Sequence, residues 1–271
     1  ISLFPMSFDE YLTKIQNIQS KFLWFIERED NEEENYQNLI DCIKENKIME
    51  NKYKFKSILN LISNVAKYNY RGKDFFAKIE QILNNYLQFI KSNYTNLELF
   101  SIFKDNKNLI LFFVQKRIII IDEIIQKIND KMIFFLKPEI DEIMHKLPRK
   151  INDTSKIFDE KRKTGENDND FYRIIREDLI EDFIIFVKRN DYPLNSIIER
   201  SNFETHPFLS NKKPTLIQYA VFFGSAQIFK YLFLNDAVIT DEIWIYSIYG
   251  NNEEIFNYLL ENKLMKDKKN I

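Results

Sequence analysis

Two histidines, one cysteine and a few carboxylate pairs are the residues from which chemistry could be built. His145 and His206 stand far apart, and neither has a second ligand at metal-binding spacing. Both read as surface or turn histidines. Cys42, in Leu39-Ile40-Asp41-Cys42-Ile43, reads as a small buried hydrophobe on a helix. As the lone cysteine it excludes a disulfide within the chain and a cysteine-based structural zinc site. Asp9/Glu10, Asp122/Glu123 and Glu181/Asp182 could in principle share acid and base roles. All fall at predicted helix starts or exposed faces, where the helix dipole accounts for them. Gly72, Gly165, Gly224 and Gly250 are too dispersed to cradle a phosphate, and Thr164-Gly165-Glu166 lacks the rest of a P-loop. Ser247 has no His–acid partners in the sequence. The reading is a non-enzyme with no catalytic, cofactor-binding or metal residues and no cofactor.

Composition narrows the class further. The chain has 271 residues, 39 basic and 41 acidic, for a formal net charge of −2. Hydrophobic residues are 45% and aromatics 15%, which excludes a disordered chain. Four glycines and six prolines are too few for a fold built on tight turns, such as a sandwich or propeller. The slightly acidic balance argues against nucleic acid, which selects basic domains. The lysines are dispersed, with Lys263, Lys266, Lys268 and Lys269 forming a small basic tail. The start, Ile1 to Met6, has no basic region and its apolar run is broken by Pro5, so no secretory signal is read; Met6 could itself be a start. No apolar run is long enough for a bilayer. The expected location is cytoplasmic, with the nucleus left open. Asn93-Tyr94-Thr95 and Asn152-Asp153-Thr154 match a glycosylation pattern that has no meaning without secretion.

The elements that would position any site are helical throughout. Ser7-Phe8-Asp9-Glu10 fits a capping box. Tyr11, Ile15, Ile18, Phe22 and Phe25 then follow at spacings of three and four. Glu29 to Glu34 reads as a solvated loop. Leu39, Ile40 and Ile43 start a second helix, and Phe55, Ile58, Leu59, Ile62 and Val65 give a third. Asn69 to Lys73 is a turn. Phe76, Ile79, Ile82, Leu83, Tyr86, Leu87 and Ile90 form one continuous stripe. Pro138 and Pro148 interrupt any helix. Lys161 to Asp170 has no apolar side chain, so 137–170 reads as a surface connection between a helical module at 6–136 and a region at 171–262, followed by the tail at 263–271. Phe171 to Asn190 is strongly helical, and no run outside Ile118 to Ile121 alternates with period two.

A pattern then recurs at an interval of 27 residues. Thr215 opens a helix, Ala220 is small where paired helices approach, Gly224 sits at the turn, and Ile228, Phe229, Leu232 and Phe233 form a buried face closed by Ala237. The second copy places Trp244 on Ile217, Ser247 on Ala220, Asn251 on Gly224, Ile255 on Ile228, Tyr258 on Tyr231 and Leu259 on Leu232. Asp236, near the end of the unit, accepts a left-handed backbone better than most residues. An earlier copy is expected at Phe100 to Val114. There Ser101 would be the small residue, Asp105 the turn, and Leu109, Ile110, Phe113 and Val114 the buried face.

Thr215 to Ala237 resembles one ankyrin repeat. Leu216 replaces the usual Pro, and Gln218 the usual His. With Arg176 to Ile184, Tyr192 to Ser196, Trp244 to Asn251, Met6 to Leu12 and Phe75 to Leu83, the chain resembles an expanded protist family of ankyrin-type proteins with an N-terminal helical half. That resemblance covers nearly the whole chain. It implies an all-α helical solenoid: an N-terminal helical module, possibly degenerate ankyrin-like, followed by short ankyrin-like helix-turn-helix repeats. It implies non-catalytic protein binding, as scaffold or adaptor, with contacts from Asn211, Lys212, Gln218, Phe222 and Trp244. The repeat framework would be Thr215, Ala220, Gly224, Ile228, Leu232, Ser247, Asn251, Ile255 and Leu259. The alternative is a nucleic-acid or anionic-surface binder using the dispersed lysines. Ile255, Phe256, Leu259 and Leu260 are expected in slots that pack between neighbours, which points to a truncated array or to self-association through the C-terminal repeat.

Overall fold

The computed structural model describes residues 8–28, 30–68, 74–145 and 153–262. Ser7 and the side chains of Glu10, Tyr11 and His145 lie outside that description, as do the Asn69–Lys73 turn, Pro148 and the tail from Lys263. Among the described residues the fold is all-helical, with a single isolated bridge between Ile197 and Thr215 in place of any strand. No helix there is long and apolar enough to cross a membrane. The chain divides into two compact units, Ile1–Lys146 and Leu147–Ile271.

Unit one contains α1 (Phe8–Glu27), α2 (Glu32–Glu45), α3 (Lys52–Tyr68), α4 (Phe75–Asn85), α5 (Leu87–Asn93), α6 (Asn96–Phe103), α7 (Lys107–Gln115), α8 (Ile121–Ile124), α9 (Asp130–Phe135) and α10 (Lys137–His145). Spacings of three and four put Ile18, Phe22 and Phe25 of α1 on one buried face against α2 and α4. The α3 stripe, Phe55, Ile58, Leu59, Ile62 and Val65, is buried throughout. Lys78 of α4 is buried too. Its Nζ donates to the carbonyls of Phe25 (3.1 Å) and Arg28 (2.6 Å), so a lysine from another helix caps the end of α1.

Four local expectations for this unit are corrected. Glu32 to Glu34 are not loop; they form the first turn of α2, where acidic side chains meet the positive helix end. The stripe from Phe76 to Ile90 is not one helix. The ladder tightens at Tyr86, whose N–H bonds to the Leu83 carbonyl, and α5 starts anew beyond it. Buried Tyr86 and half-buried Phe89 both pack edge-on against Phe55, at 5.3 and 4.9 Å between rings. Pro138 does not break a helix, because it lies in the first turn of α10, where a missing N–H costs nothing. The copy placed at Phe100 to Val114 has its expected buried face, Leu109, Ile110, Phe113 and Val114, but not its small residue or its turn. A capping box between Thr95 and Glu98 fixes α6 with Leu99, Phe100 and Phe103 inward, which leaves Ser101 exposed, and Asp105 has no left-handed backbone.

Unit two contains α11 (Asp153–Thr164), α12 (Asp170–Arg176), α13 (Ile180–Asn190), α14 (Pro207–Asn211), α15 (Leu216–Phe223), α16 (Ala226–Leu234), α17 (Ile243–Gly250) and α18 (Glu253–Glu261). The stretch from Lys161 to Asp170 is no solvated connection. Arg162 is buried, with Asp159 at 2.6 Å, and Asn167 donates to the Glu199 carbonyl. The Gly165 carbonyl accepts both the backbone N–H and the hydroxyl of Thr205. Polar side chains hold this segment down where apolar ones are missing. Phe171 to Asn190 is likewise two helices, divided at Asp178, which has φ 53°.

Three helical hairpins follow in order: α12–α13, α15–α16 and α17–α18. First helices pack on first helices, α12 on α15 and α15 on α17. Second helices do the same, α13 on α16 and α16 on α18. A left-handed residue makes each hairpin turn: Asp178, Gly224 and Asn251.

Candidate functional site

Thr215 caps α15 by accepting the Gln218 N–H, while Gln218 Oε1 accepts the Thr215 N–H at 2.9 Å. Ala220 is fully buried, and Gly224 closes the helix at φ 70°. In the next hairpin Ser247 is buried and Asn251 closes α17 at φ 40°. Ile228, Leu232, Ile255 and Leu259 are all buried, and Asp236 adopts φ 60° at the end of α16. The preceding hairpin keeps the register. Asn169 caps α12 as Thr215 caps α15, and Asp178 turns as Gly224 does.

The hairpins are joined by bonds from each turn to the next. Asp178 accepts the N–H groups of Gln227 (3.0 Å) and Ile228 (2.9 Å), so it caps α16 across the hairpin boundary. Ser225 donates to the Ile175 carbonyl, and Asn252 to the Gly224 carbonyl at 2.9 Å. Gln218 Nε2 donates to Thr240 Oγ1 at 3.0 Å. Between α15 and α17 the backbones nearly touch. A Cβ on Gly250 would stand 2.2 Å from the Val221 carbonyl oxygen.

This geometry revises the partner-contact set. Gln218 (6% exposed) and Phe222 (4%) are buried by the next hairpin and by α14, so neither presents a surface. They follow the helix period onto the stacking face and not onto the free edge. Phe222 instead packs edge-on to His206, at 4.9 Å between rings. His206 is a turn histidine, as its position suggests, but it is buried: its Nδ1 accepts the Phe208 N–H at the start of α14. Asn211 is exposed, Lys212 is half-buried with Glu242 at 3.5 Å, and Trp244 is half-buried against Phe256.

A cluster of ionisable groups that sequence spacing does not reveal sits between α12 and α15. Arg176 Nε lies 2.8 Å from Glu166, and its guanidinium donates to the Tyr219 hydroxyl at 3.0 Å. Burial raises the Glu166 carboxyl, although Arg176 pulls it back, and burial also pushes the Tyr219 hydroxyl upward. The adjoining cavity, bounded by Asn167, Glu199, Glu204 and Tyr219, measures about 20 Å³, room for one water. The arrangement joins α12 to α15 and to the 198–205 segment. Among the described residues no three His, Cys, Asp or Glu side chains gather as a metal site.

No protein-family model matches the chain, and neither does a curated protein or a solved structure.

Proposed function

We propose that the chain is a non-catalytic protein-binding module, a scaffold or adaptor whose second unit is a short solenoid of ankyrin-like repeats. The observation that carries this reading is the register. Three successive hairpins turn through a left-handed residue at matching positions and stack in order; the first two also cap their opening helix with a matching side chain, and the last two bury matching residues, Ile228 with Ile255 and Leu232 with Leu259. Such a stack frees its edges and tips to vary without disturbing the core. The same residues support membership of the protist ankyrin-type family they resemble. Of the partner contacts, Asn211, Lys212 and Trp244 remain on an accessible edge. The lysine-based reading has less support, since Lys52, Lys161, Lys212 and Lys230 are paired with acids and Lys78 is buried.

The test is quantitative affinity capture with the intact chain and with an Asn211→Ala, Lys212→Ala double variant. A saturable protein partner held by the parent and weakened by the variant is expected. Capture that is never saturable, or a partner indifferent to every exposed position on the hairpins, would refute the reading.

A further inference from the structure

The two ends of the hairpin stack differ in chemistry. On α15 the side chains that reach back to the previous hairpin include Tyr219 and Phe223, which meet Tyr172 and Arg176. In the shared register these positions are Arg173 on α12 and Glu177 at its C-terminal cap, with Asp170 one turn earlier. All three are exposed, and Arg173 lies 3.0 Å from Glu177 and 3.9 Å from Asp170. On α12 the first hairpin therefore ends in charge, as a capping repeat does, whereas on α13 the position of Tyr231, which packs back on Phe183, is Ile185, exposed by 62%.

The last hairpin does the opposite. The residues of the middle hairpin that receive α17 and α18 include Gln218, Val221, Phe229 and Phe233. Val221 meets Gly250, and both phenylalanines pack on Tyr258. Moved on by 27 residues, these positions are Ile245, Ile248, Phe256 and Leu260. They are exposed by 46%, 72%, 38% and 42%. Ile255 and Leu259, by contrast, are buried in the hairpin's own core, so only half of the apolar set expected there is free. The acceptor face continues the stacking interface, and among the described residues no hairpin lies upon it.

Its border is acidic. From Asp241 to Asn262 there are five carboxylates and no basic residue. Glu242 and Glu254 reach back to Lys212 and Lys230, leaving Asp241, Glu253 and Glu261 exposed. Glu253, three residues before Phe256, extends the exposed stripe of α18, and Asp241 lies in the turn that leads into α17. A second copy docked face to face would set these carboxylates against one another. A head-to-tail copy would offer the charged end of α12 to an apolar face.

We propose that this face binds a basic amphipathic helix of a partner protein, apolar along one stripe and flanked by lysine or arginine. This rests on the reading of the hairpins as a binding stack, but uses a different surface from Asn211 and Lys212. The probe is a labelled peptide about four turns long, with leucines three and four apart and lysines elsewhere, compared with its leucine–glutamate twin. In fluorescence anisotropy with the full chain, the lysine peptide should bind at least about tenfold more tightly than the glutamate one, and weaken as salt is raised. Ile248→Ser with Phe256→Ser changes no charge and should cost about tenfold in affinity. Asp241→Asn with Glu253→Gln should narrow the preference between the two peptides. Equal binding of both peptides, or binding indifferent to the Ser variants, would overturn the proposal. So would a dimer by light scattering that the lysine peptide fails to dissociate, or tighter peptide binding once residues 263–271 are removed, since each assigns the face another occupant. Loss at Asn211 and Lys212 without effect here would sink this inference and leave the binding-module reading intact.

Discussion

Gly250→Ala should destabilise the second unit although it improves the helix. Gly250 is the last residue of α17 and its backbone is not left-handed, so alanine's helix propensity alone favours the variant by up to about 1 kcal/mol. Against this stands the Val221 carbonyl oxygen, 2.2 Å from the new methyl group, with the carbonyl carbon at 3.3 Å. Ordinary contact begins roughly an ångström further out. The obstacle is backbone, so relief requires α17 to move off α15, not a side chain to swing. Overpacking of this kind costs about 3 kcal/mol, leaving a net loss of about 2 kcal/mol. The assay is urea denaturation followed by tryptophan fluorescence. The chain has two tryptophans, Trp24 in the first unit and Trp244 in the second, so a Trp24→Phe background makes Trp244 report the second unit alone. The sign decides the matter. A variant as stable as the parent, or more so, would mean that α15 and α17 do not approach as closely as described, and the register built on them would fall.

Ala220→Leu should cost about 1–3 kcal/mol, because Ala220 is fully buried, whereas Ser101→Leu should stay within about 0.5 kcal/mol; equal losses by thermal denaturation would contradict the different environments of the two. Lys78→Met keeps the stem but leaves the Phe25 and Arg28 carbonyls without their donor; a loss of about 1–3 kcal/mol is expected in urea melts, and none would remove the capping role. The hydrogen bond from Lys52 holds the Glu98 carboxyl below its usual range. At Asp168, bonds from Lys161 and Ser201 outweigh the upward pull of burial. Depressed folded-state values contribute stability that is present above the unfolded pKa, near 4, and lost as pH falls through the folded value. Glu166, raised by burial, works in the opposite sense. Denaturation midpoints between about pH 6 and 3 should therefore fall less steeply in Glu98→Gln than in the parent, and identical slopes would refute the linkage.

The helical class and the α15–α18 framework were legible because they rest on local rules. A threonine cap, a small residue and a glycine turn are visible at fixed offsets within ten residues. The Lys161–Asp170 stretch looks solvated in sequence for the complementary reason. Its burial depends on Asn167 and Gly165 bonding to Glu199 and Thr205, more than thirty positions away. Gln218 and Phe222 were placed on the surface because the ankyrin-like pattern assigns the first helix a free face, whereas α14 and the third hairpin cover it. Gly250, the last residue of an otherwise apolar helix, stands beside a turn that Asn251 already makes, so the sequence does mark it for a packing role. The Arg176–Glu166–Tyr219 cluster had no such signal, since the register of α12 emerges only once Asp178 is known to turn the chain.

The spacing of the turns bears on how such a chain can change. Asn251 follows Gly224 by 27 residues, but Gly224 follows Asp178 by 46. The extra length is taken up between α13 and α15, in a run containing α14 and the isolated bridge, without altering the packing of α12 on α15. Doubling a connection costs only about 0.6 kcal/mol in closure entropy. The bonds that join neighbouring hairpins run instead from a turn to the helix start beside it. Insertions should therefore collect between hairpins and be refused within them. Related chains could lengthen or prune the α13–α15 connection freely, while the single residue between Asp178 and α13, Leu179, would stay fixed in number.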